Sequence, residues 1–379
     1  MKASVFSKLA PASPRVAAIA VAALTACGAA FASTPAQAGY SFETINDPAD
    51  KHFPPPPATG GVTFTNLMGI NSSGDMIAGF YGSGQAGDPN TGFLLTLPKT
   101  FMPDNATFPG LLPPFTAAQT QITALNDFGT LTGYTYPTNN GVAVDFQFGF
   151  YEKGGAFTMV NNPKTPDCSV SGACDTGVIT ENQLIGVNNK DLAVGFYNDT
   201  HGDSHGYTYD IATGTFSADI NDPNAVSTVT AAINNSDEIA GFFTDSIGVI
   251  HGFIDNGGMF STVDPLGATE TQLLGLNDKG IADGFAVIGG VQHGILFDSL
   301  TDTFTILDPP GSTSTTLNGL NDAGDVVGFF VDATGNTDGT LGTPVPEPTT
   351  WLMILVGFAG LGCLSLRSSR RPQVARAAL

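Results

Sequence analysis

The segment TQLLGLNDKGIADGFAVIGGVQHGILFDSLTDTFTILDPP, residues 271–310, decides the fold. It resolves into four short apolar runs at 273–276, 281–285, 294–297 and 304–307, separated by turn-forming residues. Asn277-Asp278-Lys279-Gly280 joins the first two runs, and a polar turn between β-prone runs signals a hairpin. Several runs are apolar at consecutive positions, the pattern of strands covered on both faces. The segment reads as a four-stranded unit that packs face to face with others of its kind.

Others of its kind are present. A small residue, an aliphatic residue and Asn recur at Gly69-Ile70-Asn71, Ala124-Leu125-Asn126, Gly186-Val187-Asn188, Ala232-Ile233-Asn234, Gly275-Leu276-Asn277 and Gly319-Leu320-Asn321. Each is followed by an aliphatic stretch that ends in Gly and an aromatic, at Gly79, Gly133, Gly195, Gly241, Gly284 and Gly328. The later asparagines stand 46, 43 and 44 residues apart, while the earlier intervals of 55 and 62 contain insertions. A second landmark is Gly, usually with an aromatic after it and in three units a His before it: His205-Gly206-Tyr207, His251-Gly252-Phe253 and His293-Gly294-Ile295. A third runs from Phe to Asp-Pro or Asn-Pro, over 157–163, 216–223, 260–265 and 304–309.

Repeats of this length and make-up predict an all-β chain, a six-bladed β-propeller of four-stranded repeats. The sixth unit lacks a closing strand, and Phe42-Glu43-Thr44-Ile45-Asn46-Asp47-Pro48 has that pattern with no unit of its own. Residues 41–46 are therefore expected to complete the sixth sheet and cover its open edge.

Composition agrees with a folded β domain: 47 Gly and 25 Pro supply turns, and 42% hydrophobic residues with 27 Phe supply a core. Between Gly39 and Pro346 stand 33 acidic residues against six Lys and no Arg, a net charge of −27. Such a surface repels phosphate backbones and anionic lipid, which argues against nucleic-acid partners. Solubility outside the cell explains the acidity; calcium or another cation held at the surface is the alternative.

The two ends differ from the middle. Lys2, Lys8 and Arg15 precede an apolar stretch at 16–32 and the small-x-small sequence Ala36-Gln37-Ala38, so 1–38 reads as a signal peptide. Leu24-Thr25-Ala26-Cys27 also fits a lipobox, which leaves lipidation at Cys27 as the alternative to cleavage after Ala38. Residues 39–342 form the repeat domain, and 343–379 a tail. In the tail, Val345-Pro346-Glu347-Pro348 precedes a 16-residue uncharged stretch at 351–366, with Arg367, Arg370 and Arg371 directly after it. The stretch reads as a transmembrane helix with a cytoplasmic basic flank. Prolines on both sides of Glu347 favour an extended, accessible segment.

The order VPEP, apolar span, Arg cluster resembles the PEP-CTERM sorting signal. That resemblance implies a substrate of an exosortase, a membrane enzyme of Gram-negative bacteria that make exopolysaccharide, and hence export to the cell surface or extracellular matrix after transient anchoring in the inner membrane. The extension from Pro372 to Leu379 beyond the arginines departs from the usual pattern. The repeat G-[IL]-N-D-x-G-x-x-x-G-[FY], followed by H-G-F, is similar to the HAF-type extracellular repeat, which implies an exported repeat domain and no defined chemistry.

Candidate sites are few. Cys168 and Cys174 are the only cysteines of the repeat domain, and an oxidising compartment favours a disulfide between them. His205, His251 and His293 hold one position in successive units, so each is expected to do the same structural job in its own sheet. Asp199-Thr-His201-Gly-Asp203-Ser-His205 and Asp332-Ala-Thr-Gly-Asn336-Thr-Asp338 carry ligand-type side chains, but the first reads as a loop and the second lacks a distal bidentate Glu. No catalytic motif and no cofactor-binding fingerprint is found.

The sequence thus predicts a non-catalytic envelope or matrix protein, processed by signal peptidase and exosortase, with exopolysaccharide or another surface protein as the partner of its loops. The alternative is a secreted carbohydrate-active lyase or hydrolase. Its acids would come from the insertions at 82–114 and 134–148, namely Asp88, Asp104 and Asp145, in segments without His or Arg.

Overall fold

The computed structural model describes residues 39–46, 63–83, 90–97, 110–111, 117–139, 142–143, 146–170 and 172–345. The signal sequence, Cys27, Pro346 to Pro348, the apolar tail and its arginines lie outside the described residues, as do Asp88, Asp104 and Asp145.

Every element described is a β-strand. The chain opens with β1 (Tyr40–Thr44). Unit one then holds β2 (Phe64–Ile70), β3 (Met76–Gly82), β4 (Thr91–Thr96) and β5 (Gly110–Leu111). Unit two holds β6 (Ala117–Leu125), β7 (Leu131–Asn139), the short β8 (Val142–Ala143), β9 (Phe148–Lys153) and β10 (Ala156–Val160). Unit three is β11 (Asn182–Val187), β12 (Leu192–Asn198), β13 (Ser204–Asp210) and β14 (Thr215–Phe216), and unit four β15 (Ala225–Ile233), β16 (Ile239–Asp245), β17 (Ile250–Asn256) and β18 (Met259–Val263). Unit five is β19 (Ala268–Leu276), β20 (Ile281–Ile288), β21 (Val291–Asp298) and β22 (Thr303–Ile306). Unit six is β23 (Ser312–Leu320), β24 (Val326–Asp332) and β25 (Thr337–Pro344). Within each unit, consecutive strands pair antiparallel, except that in unit two both β8 and β9 pair with β7.

The fourth strand of unit six comes from the other end of the chain. β1 lies antiparallel on β25, from Tyr40 opposite Pro344 to Thr44 opposite Thr340. Asn46 continues the clasp: its amide donates to Asp338 Oδ1 at 2.6 Å, and its Oδ1 accepts from the N–H of Gly339.

The repeated asparagine is explained by two jobs. In unit three, Asn188 Oδ1 accepts the N–H groups of Lys190 and Leu192, closing the turn between the first two strands. Its amide donates to the backbone oxygen of Asn234 in unit four, at 3.0 Å. The same stitch runs from Asn126 to Asn188, Asn234 to Asn277, Asn277 to Asn321 and Asn321 to Asn71, so the last unit is joined to the first.

The repeated small residue also has a steric cause. Each first strand carries an irregularity at this point, between Leu273 and Gly275 in unit five for example, and neighbouring first strands nearly touch there. A Cβ on Gly275 would stand 2.9 Å from Gly319 Cα, and one on Gly319 3.2 Å from Gly69 Cα. The Gly before the second-strand aromatic is similarly confined: a Cβ on Gly284 would lie 1.9 Å from Gln272 O. The aromatics that follow converge, with Phe80, Tyr134, Phe196, Phe242 and Phe285 in one core cluster drawn from five units.

Strands run longer than the apolar runs suggest. β19 begins at Ala268, five residues before Leu273, because Thr271 and Gln272 are buried although polar. The insertion expected from Tyr134 is corrected in the same way. Tyr134 to Asn139 continue β7, and Val142-Ala143 pair back onto its end.

Candidate functional site

All first-to-second strand turns lie at one end of the units, here the Asn end. Among the described residues, the second-to-third strand turns and the links between units lie at the other, the loop end. At the Asn end, the first strands of the six units surround a central cavity of about 110 Å³, with a wider mouth of about 260 Å³ at the asparagines. A second hydrogen-bond relay rims that mouth. The N–H of Ser72 donates to Asp127 Oδ1, that of Asp127 to Asn189 Oδ1, that of Asn189 to Asn235 Oδ1 and that of Asn235 to Asp278 Oδ1. Burial works against the charge of Asp127, but the N–H of Ser72 and the amide of Asn189 hold its carboxyl below the ordinary range. These carboxylates are committed to joining units.

The three repeated histidines sit on the third strands, each in its own unit. His251 Nδ1 pairs with Asp264 Oδ2 at 2.7 Å, and its ring stacks on Phe243 with centroids 5.1 Å apart. His293 Nδ1 meets Asp308 Oδ2 at 2.7 Å, and His205 Nδ1 meets Asn221 Oδ1 at 3.2 Å. Each His thus ties the third strand to the Asp or Asn that follows the fourth. Burial lowers the pKa of His251, but the carboxylates of Asp264 and Asp245 outweigh it and raise the pKa above the ordinary 6.5.

The metal-like stretches are occupied by turn geometry. Asp199 Oδ1 accepts the N–H groups of His201 and Asp203, and Asp332 Oδ1 those of Thr334 and Asn336. His201 turns away to Asp175 Oδ2. Among the described residues, no three His, Cys, Asp or Glu side chains gather as a metal site.

The loop end of units two and three holds a different arrangement. The linker 161–181 is pinned by a disulfide between Cys168 and Cys174, whose Cα atoms are 5.2 Å apart. The N–H of Cys168 donates to Thr180 Oγ1, and the chain then enters β11 through Glu181, which is 1% exposed. Gln183 Nε2 donates to Glu181 Oε1, and Asn198 Nδ2 to Glu181 Oε2. Gln183 also donates to Gln147 Oε1, and Gln147 Nε2 to the hydroxyl of Tyr136 at 2.7 Å. Ser204 donates to Asn198, and Tyr134 to Gln121. A carboxylate this deep is tolerated because amide donors replace water at both oxygens. Burial above all, then the nearby Tyr136 and Glu181, pushes the Tyr134 hydroxyl well above its ordinary range, so it remains a neutral donor.

Several buried acceptors in these inner strands have no hydrogen-bond partner: Asn66 Oδ1, Gln183 Oε1 and Asn318 Oδ1. Phe64 and Tyr136, both partly exposed, pack at the same end of the inner aromatic cluster. Reading the sequence for repeats passes over Glu181, Gln183, Gln147 and Tyr136. The available signal is variation within the repeat. Seven positions before the repeated Asn stand Phe64, Gln119, Glu181, Ser227, Glu270 and Ser314, a site under no common structural demand.

One further buried acid is separate from this cluster. Asp283 on β20 is fully buried against Gly275, and neither carboxyl oxygen has a hydrogen-bond partner. Burial raises its pKa well above the carboxylate range, and nearby backbone N–H groups of Gly319 and Gly275 offset only part of that.

Residues 344–371 match the PEP-CTERM protein-sorting motif, the substrate signal of the exosortase processing system; the chain is exported and sorted to the cell envelope. No curated protein matches it in sequence. Among solved structures, it is similar to AofleA from Arthrobotrys oligospora, with 11% identity over 80% of this chain and 86% of that one, at a TM-score of 0.46. The β-propeller domain of the Trilobed protease from Pyrococcus furiosus is 7% identical over 75% of this chain and 86% of that one, at 0.39. An ulvan lyase, a polysaccharide lyase bound to GlcA(1-4)Rha3S, is 11% identical over 70% and 76%, at 0.39.

Proposed function

We propose that the chain is a surface or extracellular-matrix protein, built as a six-bladed β-propeller of HAF-type repeats, that binds exopolysaccharide without catalysis through its loop end. Signal peptidase and exosortase act on its two ends. The blade count rests on the unit-to-unit stitches that return from Asn321 to Asn71, and on β1 completing the sixth sheet.

The observation that carries the binding reading is the cluster of Tyr136, Gln147, Gln183, Glu181, Asn198 and Ser204. Sugars present hydroxyls that need both donors and acceptors, and C–H faces that pack on aromatic rings. Amides, a hydroxyl, a carboxylate and two partly exposed rings, Tyr136 and Phe64, meet those needs. Both Glu181 oxygens are engaged by amides, which suits an acceptor better than a proton carrier. The strongly acidic surface selects against polyanions, so the ligand is a neutral or weakly charged polysaccharide.

The test is a glycan-binding screen of the exported, processed protein, with calcium and with EDTA. Binding to a neutral glycan is expected, and Gln147→Ala or Tyr136→Ala should weaken it about tenfold, the cost of one or two hydrogen bonds. Chain shortening of the glycan during the assay would replace this reading with the lyase or hydrolase. Binding that the two variants leave unchanged would move the site elsewhere.

A further inference from the structure

The path of the chain at unit six fixes which way the domain faces while it is tethered. β25 runs toward the Asn end and stops at Pro344, and β1 starts beside it. The N–H of Val345 donates to Gly39 O at 2.6 Å, and Tyr40 Oη donates to Gly324 O, in a turn of the Asn end, at 2.9 Å. The first residue after the expected signal-peptide cut and the first residue of the VPEP sequence are therefore paired neighbours on one edge. Both hydrophobic ends of the precursor leave the domain side by side.

We infer that the Asn end is apposed to the membrane surface in the anchored form, and that the loop end, with Glu181 and its partners, faces outward. This rests on the reading of 351–366 as a membrane segment, and it deepens the proposed function by setting the ligand-binding end toward the exterior. The lengths decide it. Five residues separate Val345 from Trp351, which makes six steps along the chain, so the tether spans at most about 20 Å. The eight residues of β25 alone span roughly 26 Å. A tether that starts at the Asn end and is shorter than the strands cannot let the loop end turn to the bilayer. Exposed apolar side chains do not decide the direction, since Phe128 stands at the Asn end and Ile247 at the loop end. The acidic surface opposes adhesion to anionic lipid, so proximity is imposed by the chain and not by affinity.

The experiment uses the full chain in a host without exosortase, with Cys27 and Cys363 replaced by alanine. Ala323→Cys and Ala333→Cys place single thiols on exposed turns at the two ends of the same unit. Right-side-out membranes are treated with a large polyethylene-glycol maleimide, and the same variants released by exosortase serve as reference. Ala333→Cys should react at the same rate in both forms, and Ala323→Cys about fivefold more slowly when tethered, because the short linker excludes the polymer. Equal rates at the two positions in the membrane pellet would overturn the inference alone. Recovery of the full chain in the soluble fraction would overturn the anchoring reading and the inference with it.

Discussion

Replacing Asn188 by alanine tests whether the repeated asparagine holds the units together. The side chain is 4% exposed and makes four hydrogen bonds: from Lys190 N–H at 3.0 Å and Leu192 N–H at 3.1 Å, and to Asn234 O at 3.0 Å and Asp237 Oδ1 at 3.1 Å. At about 1 kcal/mol each, with water recovering part of the loss at the exposed turn, the expected cost is about 3 kcal/mol. A domain of roughly 300 residues unfolds with an entropy near 0.6 kcal/mol/K, so the midpoint should fall by about 5 °C. Asn188→Asp separates the two jobs. It keeps the acceptor for the turn but replaces the amide donor by an anion facing Asn234 O and Asp237, so it should cost at least as much as alanine. Thermal and urea unfolding of the exported protein would measure both. A shift below about 1 °C for Asn188→Ala would refute the reasoning, and an Asp variant as stable as the parent would show that the turn alone matters.

Deleting residues 40–46 removes β1 and exposes the edge of β25, and should sharply raise proteolysis of unit six; an unchanged digestion pattern would contradict ring closure. Asp283→Asn should stabilise the protein at neutral pH. The folded-state pKa is raised, so the parent loses stability as pH climbs above the ordinary carboxylate range, and the variant should lack that slope. His251 shows the usual cationic case: its raised pKa contributes stability fully present below 6.5 and lost as pH rises through the folded pKa, so His251→Gln should differ most from the parent in acid. An NMR titration midpoint for His251 at or below 6.5 would contradict this. Intact-mass analysis of the exported protein should find Leu379 gone and no free thiol at Cys168 or Cys174.

Much of this architecture is legible in the sequence, because repetition averages out local ambiguity. Asn277-Asp278-Lys279-Gly280 is weak as a single turn, yet the same turn six times over marks every first strand. The leftover Phe42-Glu43-Thr44-Ile45 is informative for the same reason, since it matches a pattern whose place is vacant in unit six. Strand ends are less legible. Thr271 and Gln272 are polar and read as loop, but lie buried where first strands crowd together. The candidate site is least legible, because Glu181, Gln183 and Gln147 are functional candidates only through departure from the repeat and through a contact between units. Gln147 and Glu181 pair across two sheets as an isolated bridge, which no spacing along the chain announces.

The partnership of β1 with β25 also sets a schedule for folding. Tyr40 and Pro344 pair across almost the whole domain, whereas the other strand neighbours are mostly joined by short turns. Closing a loop of about 300 residues costs roughly 3–4 kcal/mol more entropy than closing one of five. During synthesis β1 is the first strand to emerge and the last to find its neighbour. Units one to five can form as they appear, while the opening segment waits as an unpaired, aggregation-prone strand. The residue that completes its ladder, Val345, is the one at which the sorting sequence begins. The chain therefore reaches its closed state only as the sorting sequence arrives, and any intermediate stalled earlier presents an open ring to its surroundings.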